Sequence, residues 1–247
     1  GDGRGQEGGR CHRRVSAEEK GRLSFEEDRS SRRVRGTRER SVPRRVHGAA
    51  VPQKVFCEVI AMMNYIAIDF ETATGSMNSA CSVATVEVRD GQLKEGWTTL
   101  IQPPGLRFDS FNIGIHGISP KDVADAPTFA EVWEELKERL AGKIVVAHNA
   151  SFDMGVLKAS LLANRLQALD FRTCCTVRIA RKVWPGLDDH KLNTVGAHLN
   201  INFRHHRALD DARTCAAIPL FAGMETGTDD IEELAQKIGV RIGHFGV

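Results

Sequence analysis

No run of apolar residues in this 247-residue chain approaches the roughly 18 at which a helix can cross a bilayer, so no membrane span is expected. The charged residues at its start are not followed by an apolar stretch of the kind a secretory signal carries, which argues against export. The six cysteines include no C-x-x-C spacing and are far too sparse for a disulfide scaffold, so free thiols and a reducing, cytoplasmic compartment are expected. Large net charge is missing too, at +2, but the charge is unevenly placed. Residues 1–62 hold 15 Lys and Arg against 9 Asp and Glu, whereas residues 63–247 hold 19 against 23. A 41% hydrophobic content over this length can bury a sizeable core and suggests one domain with an appendage.

The appendage is 1–62. Rich in Gly, Arg, Glu and Ser, with no sustained apolar period, it cannot bury enough surface to offset the entropy of ordering it, so a basic, disordered tail is expected. Its Arg clusters within 32–45 are either a nonspecific nucleic-acid tether or a solvated tail. Met62-Met63 directly precedes the first strand, so a natural start there is the other reading.

From residue 63 the pattern becomes regular. Residues 65–72 read as a buried strand, and two β-rich runs, 80–88 and 93–101, flank Asp90-Gly91, a hairpin signal. The stretch 103–117 reads as a loop leading to Ser119-Pro120, where a Ser cap and a Pro at the first helical position predict a short helix. Thr128-Phe129-Ala130-Glu131 is a capping box whose helix is predicted to end at Gly142. Short strands at 143–148 and near 170–173 alternate with helices opening at Ser151 and covering 177–183, 192–199 and 208–221. A small amphipathic helix at 230–238 falls in a partly independent tail. Strands in a meander, then alternating with helices, predict an α/β fold: a mixed five-stranded sheet, antiparallel first and parallel after, flanked by helices.

The acids come next. Strand alternation puts Asp69 and Glu71 on one face and Ile68 and Phe70 on the other, so Phe70 is read as core. Two acids on one face repel each other unless a cation lies between them, and hard oxygen donors suit Mg²⁺ or Mn²⁺ better than zinc. Asp153 falls in the first turn of the helix opened by Ser151, beyond a strand end, where open α/β sheets bind ligands. Ordinary helix-start chemistry is the alternative there, because the helix dipole favours an acid. The run His205-His206-Arg207-Ala208-Leu209-Asp210-Asp211 puts a histidine in a loop and an acid one turn into a helix; exposed loop histidines are the alternative.

Asp-Phe-Glu-Thr at 69–72, His-Asn-Ala-Ser-Phe-Asp at 148–153 and His-Arg-Ala-Leu-Asp-Asp-Ala at 206–212, in this order with these gaps, resemble the motifs of the DEDDh branch of the DnaQ-like 3′-to-5′ exonucleases. That group includes polymerase proofreading subunits (the DNA polymerase III ε type) and small RNA-trimming enzymes. The resemblance covers about 64–221 and implies an RNase H-like sheet in an exonuclease domain at 63–222, followed by a small helical tail at 223–247. It implies that Asp69, Glu71, Asp153 and Asp211 are the four metal-binding acids and His206 the general base. The family spacing selects His206 over His205 and Asp211 over Asp210. In that picture Asp69 bridges two divalent ions, Glu71 and Asp211 complete the site of the nucleophile-activating one, and Asp153 supports the second. Such a pair neutralises the phosphate, generates the nucleophile and stabilises the leaving oxygen.

Four further residues are expected against the substrate: Thr72, His116, Asn149 and Phe152. Phe152 can stack on a terminal base, His116 lies in a stretch resembling a family loop near the nucleotide, and Asn149 orients its turn through its side chain. Arg178, Arg181 and Lys182 share a helix face that either touches phosphate or is solvated. The implied partners are 3′ ends of single-stranded DNA, slightly preferred, or RNA, with a polymerase or repair complex beyond them. An RNA-trimming exoribonuclease and a noncatalytic nucleic-acid-binding module are the alternatives. The latter is expected to have lost an acid, and here all four and the histidine are present.

Overall fold

The computed structural model describes residues 62–246, and the expectations for the basic tail lie outside the described residues. Strand β1 (Tyr65–Thr72) is central: it pairs antiparallel with β2 (Ala80–Arg89) on one side and parallel with β5 (Ile144–Ala147) on the other. The hairpin after β2 turns at Asp90-Gly91, whose φ values of 53° and 68° are the positive pair that a two-residue mirror-image turn requires.

The run expected as one strand at 93–101 is instead two, β3 (Gln92–Leu93) and β4 (Trp97–Leu100), both paired with β2. Leu93 lies opposite Val88 but Trp97 opposite Thr85, so the register slips by one residue between them. Gly96 sits at the slip, where a Cβ would run into the Leu209 side chain and lie 3.0 Å from Val86.

A second difference follows. Helix α1 (Ser110–His116) occupies part of the expected loop, and the helix expected at Ser119-Pro120 is only a turn. The Ser119 amide and hydroxyl both donate to Asp122 Oδ2, at 2.7 and 2.6 Å, and so close a turn rather than open a helix. Helix α2 (Phe129–Leu140) begins with the expected capping box: Thr128 N donates to Glu131 at 2.7 Å, and Glu131 N donates back to the Thr128 hydroxyl.

Beyond β5 come α3 (Ala150–Ala163), β6 (Phe171–Cys175), α4 (Thr176–Val183), α5 (Leu192–His198), α6 (Ala208–Thr226), α7 (Ile231–Ile238) and β7 (Gly243–Phe245). Among the described residues the sheet therefore has seven strand segments rather than five, in the order β3-β2-β1-β5-β6-β7 with β4 also on β2. The unforeseen β7 adds antiparallel to β6, where Phe245 stacks on Phe171 with ring centroids 4.7 Å apart. Helix α7 buries Ile231, Leu234 and Ala235, so the segment expected as a partly independent helical tail packs onto the body and contributes a strand.

Two cores cover the two faces of the sheet. Tyr65 and Ala67 of β1 meet α4, α5 and α6, while Ile66, Ile68 and Phe70 meet α2 and α3. Phe70 is core, as its place in the strand predicts. The single tyrosine, Tyr65, donates its hydroxyl to the Ala216 carbonyl at 2.6 Å. That bond pins β1 to α6 in the turn where Pro219 has no amide proton to offer.

Candidate active site

Strand β1 outruns its parallel neighbour. The last register pair between β1 and β5 is Ala67 with Val146, and β5 ends at Ala147. Past that point the Phe70 amide donates to Asp153 Oδ1 at 3.1 Å. Asp153 gets there because Asn149, in the left-handed region at φ 71°, turns the chain sharply from β5 into α3. The Asn149 side chain accepts from the Ser151 hydroxyl at 3.1 Å, which braces this turn.

Asp69 and Glu71 continue the β1 face that packs on α6, and the first turn of α6 supplies Asp211. One carboxylate oxygen from each of the three lies within 4.8 Å of the others. Asp153 arrives from the helix layer on the opposite face. The four acids therefore meet only at the end of the sheet, just before a register shift between Glu71 and Thr72. Their mutual proximity is costly without a cation. Burial, then Asp211, pushes Glu71 up to about 7. Burial raises Asp153 to about 8, assisted by Glu71 and Asp211 and opposed by the Phe70 amide. Asp69 is raised well above the usual carboxylate range by burial and then by Asp153, Asp211 and Glu71. Among the described residues no Lys or Arg pairs with any of the four. An all-oxygen, multiply anionic donor set without a Lys or Arg counter-charge fits a hard divalent ion such as Mg²⁺ or Mn²⁺.

The two histidines relate differently to Asp211. The His205 Nδ1 lies 3.2 and 3.3 Å from the two Asp211 oxygens, whereas His206 donates its backbone amide to Oδ2 at 2.8 Å. With φ at 66°, His206 lays its ring over that of His205, centroids 3.9 Å apart. Burial and the neighbouring His205 lower the His206 pKa, so its ring favours the neutral form.

Asp69, Glu71, Asp211, His205 and His206 line a cleft of about 840 Å³, and Asp153 is buried outside its lining. Thr72, His116, Asn149 and Phe152 all border it. The His116 Nδ1 accepts the Ile118 amide at 3.0 Å, so its Nε2 carries the proton and donates to the Thr72 carbonyl at 3.2 Å. The same carbonyl accepts from Asn112 Nδ2 at 2.8 Å, tying α1 to the end of β1. Of the three basic residues on α4, Arg181 reaches the cleft and Arg178 and Lys182 are not among its lining.

Sequence reasoning missed Phe111, which lines the cleft 76% exposed beside Ile115 and Met77. Its signal was the one-turn spacing to Ile115, hidden in a stretch read as loop. It also missed the 184–191 connection, which brings Asp189, His190 and Lys191 to the cleft from a segment with no motif.

With this geometry in place, the comparisons with known proteins are consistent. A family model described as Exonuclease (RNase_T) matches residues 66–218. A DNA polymerase III PolC-type of Clostridium perfringens (strain 13 / Type A) is 31% identical over 180 residues, covering 70% of this chain and 12% of the polymerase. The 3′-5′ exonuclease DinG of Bacillus subtilis (strain 168) is 32% identical over 160 residues, 62% of this chain and 17% of DinG. The chain thus spans less than a fifth of the length of these two relatives. Among solved structures, Exonuclease X in complex with 5′ overhanging duplex DNA is similar at a TM-score of 0.58 and 28% identity, over 71% of this chain and 99% of that one. The nuclease domain of 3′hExo, a DEDDh family member bound to rAMP, shares the fold at a TM-score of 0.56 and 18% identity, over 73% and 96%.

Proposed function

This chain belongs to the DnaQ-like exonucleases of the RNase H-like superfamily, and from that premise we propose that it removes nucleotides from the 3′ end of single-stranded nucleic acid. DNA is the slightly preferred substrate, two Mg²⁺ or Mn²⁺ ions are the cofactors, and nucleoside 5′-monophosphates are the products. The observation that carries this reading is the convergence of Asp69, Glu71 and Asp211 to within 4.8 Å beside Asp153, with no Lys or Arg paired with any of them among the described residues.

Asp69, Glu71 and Asp211 would hold one ion, and Asp69 with Asp153 the other. Ions bound there supply charge neutralisation at the phosphate, a more acidic attacking water and support for the leaving oxygen. His206 takes the proton of the attacking water at a ring nitrogen, and the lowered pKa keeps that nitrogen free to accept it. Asp211 fixes where the ring stands, through the His206 amide. Phe152 and Phe111 offer flat apolar surface on which bases can stack whatever their identity. Asn149 shapes the turn beneath the scissile position. His116 acts by shape, since both its nitrogens are already bonded, whereas Thr72, its carbonyl taken by Asn112 and His116, keeps a hydroxyl proton to donate.

The preference for DNA is supported by relatives named as DNA polymerases and by the DNA-bound neighbour at 28% identity. The same polymerase names support association with a polymerase or repair complex. No described helix is long and apolar enough to cross a membrane.

The test is a time course on DNA and RNA oligonucleotides of equal sequence, labelled at the 5′ end, with Mg²⁺, Mn²⁺ or EDTA. A ladder shortening from the 3′ end with either metal and none in EDTA is the expected result. Faster shortening of RNA would overturn the substrate preference, and no cleavage of either would overturn the activity.

A further inference from the structure

The two walls of the cleft differ in chemistry. On the β1–β2 side, α1 is fixed to the strand end through Thr72 and presents Phe111 and Ile115, with Met77 beside them. On the β5–β6 side, α4 and the 184–191 connection form the wall, and there stand the two Lys and Arg side chains of the described lining, Arg181 and Lys191. Arg181 makes no ion pair among the described residues. Lys191, exposed, pairs with the half-buried Asp189 at 3.3 Å, an arrangement worth little in water and readily exchanged for a phosphate.

Their separation from the acids says which phosphate they meet. Both line the cleft, yet neither Arg181 nor Lys191 pairs with any of the four carboxylates, so both cations stand off the acids. Val177, one turn earlier on the same helix face, also lines the cleft. A phosphodiester undergoing attack must lie over the four carboxylates, so cations set back from them face the phosphates that follow it along the strand.

The 184–191 connection is also held in register with the acids. His148, the residue after β5, donates Nε2–H to the His190 carbonyl at 2.9 Å. Its Nδ1 is therefore an acceptor and receives the Thr176 hydroxyl at 2.9 Å. His190 in turn donates to the Trp184 carbonyl at 3.0 Å. Burial takes His148 down to about 4, so it stays neutral and the pattern persists at ordinary pH.

We propose that Arg181 and Lys191 form a rim that grips the strand upstream of the scissile bond by its phosphates, and that His148 is the positioning residue that sets this rim relative to the acids. Bases then face the apolar wall and the backbone the basic one. This rests on the nucleic-acid reading above.

The experiment measures binding of a fluorescent 12-nucleotide oligothymidylate in EDTA, where no cleavage is needed, for the full chain and for Arg181→Ala, Lys191→Ala and the double variant. Each single change should weaken binding several-fold and reduce the slope of log K against log salt by about 0.7, the value for one lost contact to a single strand. With Mn²⁺, kcat/KM on the oligonucleotide should fall at least five times more than on thymidine 5′-(p-nitrophenyl phosphate), which has one phosphodiester and nothing upstream, and the loss should appear in KM. His148→Ala and His148→Gln should show the same length-dependent rise in KM with kcat on the short substrate unaltered, since a displaced rim loses its phosphate contacts although no charge is removed. If the half-buried histidine variants do not fold, the surface variants still decide. Equal losses on both substrates would put the cations at the scissile phosphate and overturn the rim. Unchanged affinity and slope would make them a solvated face and overturn it equally. Binding without cleavage by the unaltered chain would sink the exonuclease reading and still leave the rim measurable.

Discussion

Asp153 accepts the Phe70 amide at 3.1 Å, so one carboxylate both caps the free edge of the central strand and faces the other acids. The bond needs only an oxygen, whereas ion binding needs the charge.

The two tasks separate by substitution. Asp153→Asn keeps an acceptor for Phe70 and should abolish cleavage with little loss of stability, or even a gain once the repulsion is relieved. Asp153→Ala leaves a buried amide unpaired and should be less stable than the Asn variant by about 1–3 kcal/mol. Urea denaturation in EDTA, alongside the oligonucleotide assay, checks both; equal stability of the two variants would mean that the bond carries nothing.

Folded-state pKa values above the unfolded ones set a sign for pH. Glu71 at about 7 and Asp153 at about 8 bind protons that the unfolded chain has already released. Their contribution is therefore fully present below pH 4 and is lost as pH rises to 8. In EDTA the melting temperature should fall between pH 5 and 8, and Mn²⁺ should restore it most at the upper end. A melting temperature that rises with pH in EDTA would contradict the arrangement of acids.

The paired histidines give a third prediction. His206→Ala should lower the rate by roughly 10² to 10⁴, the range for a positioned general base, with little change in metal requirement. His205 touches Asp211 rather than holding a place for water, so His205→Ala should raise the Mn²⁺ concentration needed for half-maximal rate and cost less at saturating metal. A metal titration of both variants distinguishes the roles, and exchanged phenotypes would exchange the assignments.

Phe111 is 76% exposed, so Phe111→Ala should leave stability within about 0.5 kcal/mol. If its ring stacks on a base, binding should weaken by about 1–3 kcal/mol for all sequences alike. Oligonucleotide affinity measured in EDTA reads this directly, and an unchanged affinity removes Phe111 from the site.

What was legible in the chain was what local chemistry decides. The Thr128 capping box, the Asp90-Gly91 turn and the alternation that puts Phe70 and Asp69 on opposite faces of the sheet each depend on a few neighbouring residues, and each was foreseen. The break between β3 and β4 was not, because Gly96 is required by Leu209, more than a hundred residues away. Helix α1 was hidden for the opposite reason: it contains Gly114, has no side-chain cap, and is held by bonds to Thr72 that no local pattern announces. Strand β7 owes its place to Phe171 and β6. In the cleft, the acids were visible as motifs, while Lys191 enters through tertiary placement alone and Phe111 through a one-turn spacing to Ile115 in a stretch read as loop.

The acids come from three separate segments, β1, α3 and α6, which meet only in the assembled sheet. An ion held by such a set binds the native chain and not the unfolded one, so it acts as a folding ligand. At a hundredfold excess over its dissociation constant, one such ion shifts the folding equilibrium by about 2.7 kcal/mol. The supply of divalent ions would then govern not only how fast the protein turns over substrate but how long it escapes proteolysis.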